Sequence, residues 1–195
     1  MTSRSARDRA PVEHFERLAR EREDPWGYAT SEYEQAKYLR TLAALPERTG
    51  RTLELGCSVG VFTALLAPRC EYLLAVDYSP TALERACDRV AHFDHVEVRR
   101  AELPEETPTG PFETIVCSEI LYYWSPTLVR DGLRRFETEL GRGGTLLAVH
   151  WRHGDTRREL DGDDVHTILL EHSRLRHVDS ETDVDYLLDV WRHDG

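Results

Sequence analysis

The chain has 195 residues, of which 40% are hydrophobic and 31% charged, and it carries a formal charge of −11 at neutral pH. That balance describes a soluble globular domain, and it excludes a general nucleic-acid binder, which needs net basic surface against phosphates. No apolar run approaches the roughly 18 residues of a membrane span, and residues 1–23 are too rich in Arg and Glu for a signal peptide. Cys57, Cys70, Cys87 and Cys117 show no C-x-x-C spacing, so they read as buried free thiols in a cytoplasmic protein, with neither a disulfide framework nor a zinc site. Lys37 is the only lysine, and the predominance of arginine reads as a compositional bias.

Residues 1–11 are Arg- and Ser-rich and read as frayed. Val12, Phe15, Leu18 and Ala19 recur at helical spacing up to about Glu23. The segment 1–23 is therefore a charged extension with a short surface helix, or a lid over a cleft, ahead of a single domain spanning 24–195. Asp24-Pro25-Trp26-Gly27-Tyr28 breaks that helix. Thr30 or Ser31 caps a second one, with Tyr33, Ala36, Leu39, Leu42 and Ala43 on its apolar face.

From residue 51 strands and helices alternate. Leu53–Leu55 reads as a strand and Val61–Leu66 as the helix after it. Glu71–Asp77 is a second strand, and Ser79-Pro80 starts a helix through Leu83, Ala86, Cys87 and Val90. Val96–Arg99 and Phe112–Ser118 are further strands. Pro126 and Thr127 open a helix to about Leu140, which the glycines of Gly141-Arg142-Gly143-Gly144 are expected to cap. Thr145–His150 is a fifth strand. After a helix near Asp163–His172, Leu175–Val178 and Tyr186–Trp191 form a closing hairpin with an antiparallel member. Apolar strands joined by helices predict an α/β, Rossmann-like, doubly wound seven-stranded sheet, mostly parallel, with helices on both faces.

The chemistry centres on Leu53-Glu54-Leu55-Gly56-Cys57-Ser58-Val59-Gly60, a strand that breaks into a small-residue turn and reopens as a helix. Such a turn brings backbone close to a ligand and points a helix N-terminus at it. Gly56-Cys57-Ser58-Val59-Gly60 matches the G-x-S-x-G nucleophile elbow, but an elbow follows several sheet strands and here helices precede it. A dinucleotide fingerprint needs G-x-G-x-x-G, which this spacing is not. The third reading is an adenosine-cofactor turn of the acid-x-G-x-G-x-G type, with Ser58 in the middle glycine's place. Glu54 stands before it, and Asp77 closes the next strand, where a carboxylate accepts ribose hydroxyls.

With these residues the chain resembles class I S-adenosylmethionine-dependent methyltransferases over roughly residues 24–192. Residues 53–60 resemble that family's first motif and Leu74–Pro80 its second. Ala101-Glu102-Leu103-Pro104 occupies the place of the adenine-binding segment, Phe112–Glu119 resembles the fourth motif, and Gly143–Leu147 the glycine-led fifth strand. Asp24-Pro25-Trp26, Leu66–Cys70 and Glu119-Ile120-Leu121-Tyr122-Tyr123 are most similar to the NodS-like N-methyltransferases, which act on an amino group of a chitooligosaccharide. His150-Trp151-Arg152-His153 departs from that subgroup, which puts the sugar in question.

The resemblance implies S-adenosylmethionine as cofactor and S-adenosylhomocysteine as product, held by Glu54, Gly56, Cys57, Ser58, Gly60, Asp77, Tyr78, Glu102, Leu103, Ser118 and Glu119. It implies a small-molecule acceptor, no nucleic-acid or membrane partner, and a monomer or homodimer. By the switch-point rule the acceptor lies outside the carboxyl ends of the strands. Trp26, Tyr33, Tyr122, Tyr123, His150 and His153 are the candidate pocket residues there. Glu119 is the candidate for holding or deprotonating the acceptor, and His150 the next for general base, its alternative being a hydrogen-bonded core histidine. No metal is expected, because His150 and His153 follow a strand and Asp161-Gly162-Asp163-Asp164 reads as a helix cap. O-methylation, or a cofactor-binding protein without turnover, are the other readings.

Overall fold

A computed structural model describes residues 12–154 and 159–195; residues 1–11, expected to fray, lie outside them. Six helices and seven strands follow in chain order as α1 (Val12–Glu21), α2 (Glu32–Ala44), β1 (Gly50–Leu55), α3 (Val61–Leu66), β2 (Cys70–Asp77), α4 (Pro80–Val90), β3 (Val96–Arg100), β4 (Phe112–Ser118), α5 (Pro126–Glu139), β5 (Leu140–Trp151), α6 (Gly162–His172), β6 (Arg176–Thr182) and β7 (Tyr186–Arg192). A 3-10 turn, Leu121–Tyr123, lies between β4 and α5.

The seven strands form one sheet in the order β3-β2-β1-β4-β5-β7-β6. The first five pair in parallel, and β7 runs antiparallel to both neighbours. The order reverses between β1 and β4, so a crevice opens at their carboxyl ends. One face of the sheet buries Leu53, Leu55, Ile115 and Cys117 against Val129, Leu133 and Phe136 of α5 and Val165 and Leu169 of α6. The other face buries Leu73, Val116 and Leu147 against Tyr38 and Leu42 of α2 and Phe62 and Leu66 of α3. Each central strand is thus apolar on both sides, which is why it reads as a continuous hydrophobic run. No described helix is long and apolar enough to cross a membrane.

Local chemistry accounts for the helix starts. Ser31, Ser79 and Ser125 accept the amides of Glu34, Ala82 and Leu128 at the first turns of α2, α4 and α5. Asp161 and Asp164 form a reciprocal capping box on α6, as the acidic run suggests.

Three expectations are corrected. Gly141–Gly144 does not cap α5: Leu140 is already extended, and the glycines bulge out within β5, between the pairs Phe112–Leu140 and Thr114–Thr145. The bulge closes against the carboxyl end of the chain, through hydrogen bonds of Gly143 and Gly144 with His193. On α2, Leu39 is 65% exposed and the buried face carries Lys37, Tyr38, Thr41 and Leu42. The helix is rotated so that Lys37 meets carboxylates inside, a pairing that spacing of apolar residues does not register. Cys57 and Cys117 are buried, but Cys70 is half-buried and Cys87 exposed, so the four thiols are not all core.

Candidate functional site

β1 ends at Leu55, and the chain turns back through three left-handed residues, Gly56 (φ 77°), Ser58 (φ 48°) and Gly60 (φ 75°). Ser58 adopts a conformation that glycine takes more easily. Asp77, at the end of β2, holds this turn in place: its Oδ2 accepts the Ser58 amide and its Oδ1 the Ser79 amide, each at 2.9 Å. One carboxylate thus ties the glycine turn to the start of α4. Burial pushes the Asp77 carboxyl up, against the backbone amides that favour its charge.

The glycines serve different ends. A Cβ on Gly60 would lie 2.8 Å from the backbone of Ala86, so its bareness lets α4 pack against the turn. A Cβ on Gly56 would lie 3.0 Å from Ile120, a cleft residue, so this glycine faces the ligand side. Behind the turn, Glu54 is 3% exposed and its Oε2 has no hydrogen-bond partner among the described residues. Burial, with the nearby charge of Asp77 adding, pushes its pKa up to about 7.

A cleft opens in front of this turn. Of the expected cofactor residues, Gly56, Ser58, Asp77, Tyr78, Glu102, Leu103, Ser118 and Glu119 line it. Glu54, Cys57 and Gly60 do not; they stand behind, shaping the turn. Trp26 and Tyr123 of the expected acceptor pocket also line the cleft.

Phe15, Tyr28, Ile120 and Trp124 line it too and were not anticipated. Phe15 meets Tyr123 edge-on at 4.7 Å, and Trp26 stacks on Tyr28 at 5.5 Å, so α1 and the following loop roof the cleft with aromatic rings. Asp24 pins that loop by accepting the amides of Tyr28 and Ala29. Glu16 pins α1: its carboxylate accepts the Ser79 hydroxyl at 2.6 Å and the Thr81 hydroxyl at 2.7 Å. Burial acts to raise the Glu16 pKa, but these hydrogen bonds outweigh it and bring the value down to about 2.

Glu119 follows β4 with φ 56°, an uncommon conformation for a non-glycine residue. Its Oε1 accepts Lys37 Nζ at 2.7 Å, and its Oε2 accepts the Tyr122 hydroxyl at 2.5 Å and the Trp151 amide at 3.1 Å. Lys37 also pairs with Glu34 at 3.0 Å. Burial pulls the Lys37 pKa down, but Glu119 and Glu34 outweigh it and the net shift is upward. Burial pushes Glu34 up in spite of Lys37. Tyr33 lies under the Lys37 ammonium, 5.1 Å from ring centre to Nζ, with its own hydroxyl buried and unpaired among the described residues.

Lys37 is the residue that sequence reasoning passed over. Its signal was its uniqueness: a lone lysine on a helix, where every other basic residue of the chain except the histidines is arginine.

His150 is fully buried at the end of β5, outside the cleft lining. Its Nδ1 contacts His166 Nε2 at 3.1 Å, and His166 Nδ1 contacts Asp189 Oδ2 at 2.5 Å. Asp189 as a carboxylate can only accept, so His166 carries its proton on Nδ1 and, when neutral, accepts on Nε2. His150 then donates from Nδ1 and accepts the Leu121 amide, 3.3 Å away, on Nε2. Its ring packs edge-on against Tyr122 at 5.5 Å. This geometry belongs to the core-histidine alternative and offers no nitrogen to an acceptor. His153, half-exposed, meets Asp185 at 2.8 Å outside the cleft lining. Tyr122 is 4% exposed and contributes through Glu119.

Known proteins resemble this chain in sequence and fold. A family model described as Nodulation protein S (NodS) matches residues 10–180. Nodulation protein S of Bradyrhizobium diazoefficiens is 38% identical over 129 residues, 64% of this chain and 61% of the relative. Its counterpart in Sinorhizobium fredii is 33% identical over 141 residues, 70% and 65% respectively, so the matches span less than two thirds of either relative. The crystal structure of N-methyltransferase NodS from Bradyrhizobium japonicum WM9, in complex with S-adenosylhomocysteine, has a TM-score of 0.83 and 27% identity, covering 94% of this chain and 98% of that one. With the fold, the turn and this match over most of its length, the chain belongs to the Nodulation protein S (NodS) family.

Proposed function

We propose that the protein is an S-adenosylmethionine-dependent methyltransferase that N-methylates an amino group of a small molecule. One observation carries this reading: the Asp77-braced glycine turn and the Glu119 carboxylate face a single aromatic-roofed cleft. The residues present fit the cofactor. Glu54 supplies a buried carboxyl oxygen lacking a donor, of the kind a cationic amino group satisfies, behind a turn whose Gly56 leaves room for close approach. Gly56 and Ser58 would hold the methionine end, Asp77 and Tyr78 the ribose, Glu102 and Leu103 the adenine.

When bound, S-adenosylmethionine supplies a methyl group on a positively charged sulfur that is a ready leaving group. The protein's task is therefore alignment and exclusion of water. Phe15, Trp26, Tyr28 and Tyr123 cover the cleft, and α1, latched through Glu16, acts as its lid. Glu119 holds the acceptor nitrogen, its carboxylate already fixed by three donors. Tyr122 and Trp151 orient Glu119, and the buried His150 supports the turn that carries Tyr122. Every wall of the cleft comes from one chain, which suits a monomer or a homodimer with separate sites, and four free cysteines suit a cytoplasmic protein.

The test is a reaction of the protein and cofactor with a panel of small amines and alcohols, read by mass spectrometry for a one-methyl increment. NMR of the product then locates the new methyl. A methyl on nitrogen is expected; a methyl on oxygen only, or no turnover despite cofactor binding, overturns the reading.

A further inference from the structure

Lys37 is 2% exposed and reaches Glu119 from 82 positions away in the chain. A buried ammonium is expensive to desolvate and persists where its partners depend on it. Two carboxylates, Glu34 and Glu119, share this single cation, so the wall beside the acceptor keeps an excess of negative charge. The second oxygen of Glu119 is taken by Tyr122 and Trp151. The carboxylate is therefore held through both oxygens at the wall of the cleft that it lines.

We propose that Lys37 is a positioning residue for methyl transfer: it balances and aims the Glu119 carboxylate, and so makes the acceptor pocket selective for an amine that arrives as a cation and gives one proton to Glu119 before its freed lone pair forms the new nitrogen–methyl bond, the methyl–sulfur bond breaking as S-adenosylhomocysteine leaves. The inference rests on the methyltransferase reading given above. Lys37 acts only through Glu119 and does not line the cleft itself. Without its ammonium, Glu119 would sit buried beside Glu34 with like charge and would take up a proton. The other titratable groups facing Glu119 include Tyr28, Tyr33, Tyr38, Tyr122 and Cys117; burial pushes Tyr28, Tyr33, Tyr38 and Cys117 up, which keeps those four neutral near neutral pH.

The experiment labels the glutamate side-chain carboxyls with carbon-13 and compares them by NMR at neutral pH. The Glu119 signal is identified by its loss in Glu119→Gln. In Lys37→Met it should move from its wild-type position toward that of a protonated carboxyl, and Lys37→Arg should return it toward the wild-type position. Methylammonium chloride, added to the S-adenosylhomocysteine complex, should shift the signal in the wild type and at least tenfold less steeply in Lys37→Met.

A Glu119 signal that is unmoved in Lys37→Met, or one indifferent to methylammonium in the wild type, overturns the proposal. The second needs no variant beyond the Glu119→Gln used for assignment. Calorimetry of S-adenosylhomocysteine binding to the wild type separates the two readings. Absence of binding sinks the methyltransferase assignment, whereas binding with a Glu119 signal independent of Lys37 sinks only this inference.

Discussion

On one wall of the cleft, Asp77 grips the amides of Ser58 and Ser79, so the cofactor side is held by backbone groups at the ends of two adjacent parallel strands. On the other wall, Glu119 is gripped by Lys37 from α2, Tyr122 from the 3-10 turn and the Trp151 amide from β5. The first wall needs glycines, one acid and a strand-turn-helix path, all local in sequence. The second needs side chains from α2 and the 3-10 turn and a backbone amide of β5 to meet, with a layer of histidines behind them. A backbone-built wall tolerates change in side chains around it, while a side-chain-built wall fails when any one partner is lost. Substitutions on each side put that contrast at risk.

The largest effect is expected at Asp77. Asp77→Ala removes the charged acceptor proposed for two ribose hydroxyls and leaves two amides without their partner. Binding of S-adenosylhomocysteine should weaken at least tenfold, about 1.4 kcal/mol, and the fold should lose about 2 kcal/mol besides. Calorimetry and urea unfolding read the two effects. Unchanged affinity would mean that this wall does not hold the cofactor.

Behind the second wall, His166→Leu breaks the chain from His150 to Asp189. It leaves the buried Asp189 carboxylate one donor short and His150 Nδ1 without its acceptor. A stability loss of about 2 kcal/mol follows, by the usual penalty for orphaned buried groups. Affinity for S-adenosylhomocysteine should stay within about twofold, since no member of this chain lines the cleft. A matching loss of cofactor affinity would show that the two walls are not separable.

That same division explains what could be read from the residues. Strand periodicity, serine caps and the Glu54, Gly56 and Asp77 spacing are local signals, and they led directly to the fold and to a cofactor wall whose lining includes most of the expected residues. The acceptor wall was legible at Trp26, at Tyr123 and at Glu119, which follows a strand end. Lys37 was hidden because a buried charge on an amphipathic helix contradicts the apolar stripe by which helix faces are recognised. His150 was misplaced because a strand-terminal histidine looks the same in sequence whether it turns toward a cleft or toward another histidine. Phe15 and Tyr28 were missed because a roof exists only once α1 has folded across the sheet edge.

The lid offers a smaller effect. Glu16→Gln keeps the shape of the latch but loses the charge that Ser79 and Thr81 satisfy, so trypsin should cut after Arg17 or Arg20 a few times faster at neutral pH. The folded-state pKa of Glu16 lies near 2, below the ordinary 4.5. Its contribution is therefore complete above about pH 4.5 and is lost as the pH falls toward 2. The stability difference between wild type and Glu16→Gln should be present at pH 7 and shrink through that interval. A difference that grows on acidification would contradict the latch.

Ser58 should respond least, and the smallness of the effect is informative. The residue contributes its amide to Asp77 and its left-handed backbone to the turn, while its hydroxyl has no part in either. Ser58→Ala should leave S-adenosylhomocysteine affinity within about twofold. Ser58→Gly should raise stability by roughly 0.5 to 1 kcal/mol, because φ of 48° suits glycine best. A nucleophile elbow built on Gly56-Cys57-Ser58-Val59-Gly60 would instead lose all activity with either change, since its chemistry would reside in the oxygen removed. Thermal unfolding and cofactor calorimetry on these two variants thus decide whether the turn works through its backbone, as the cofactor wall requires, or through its one hydroxyl.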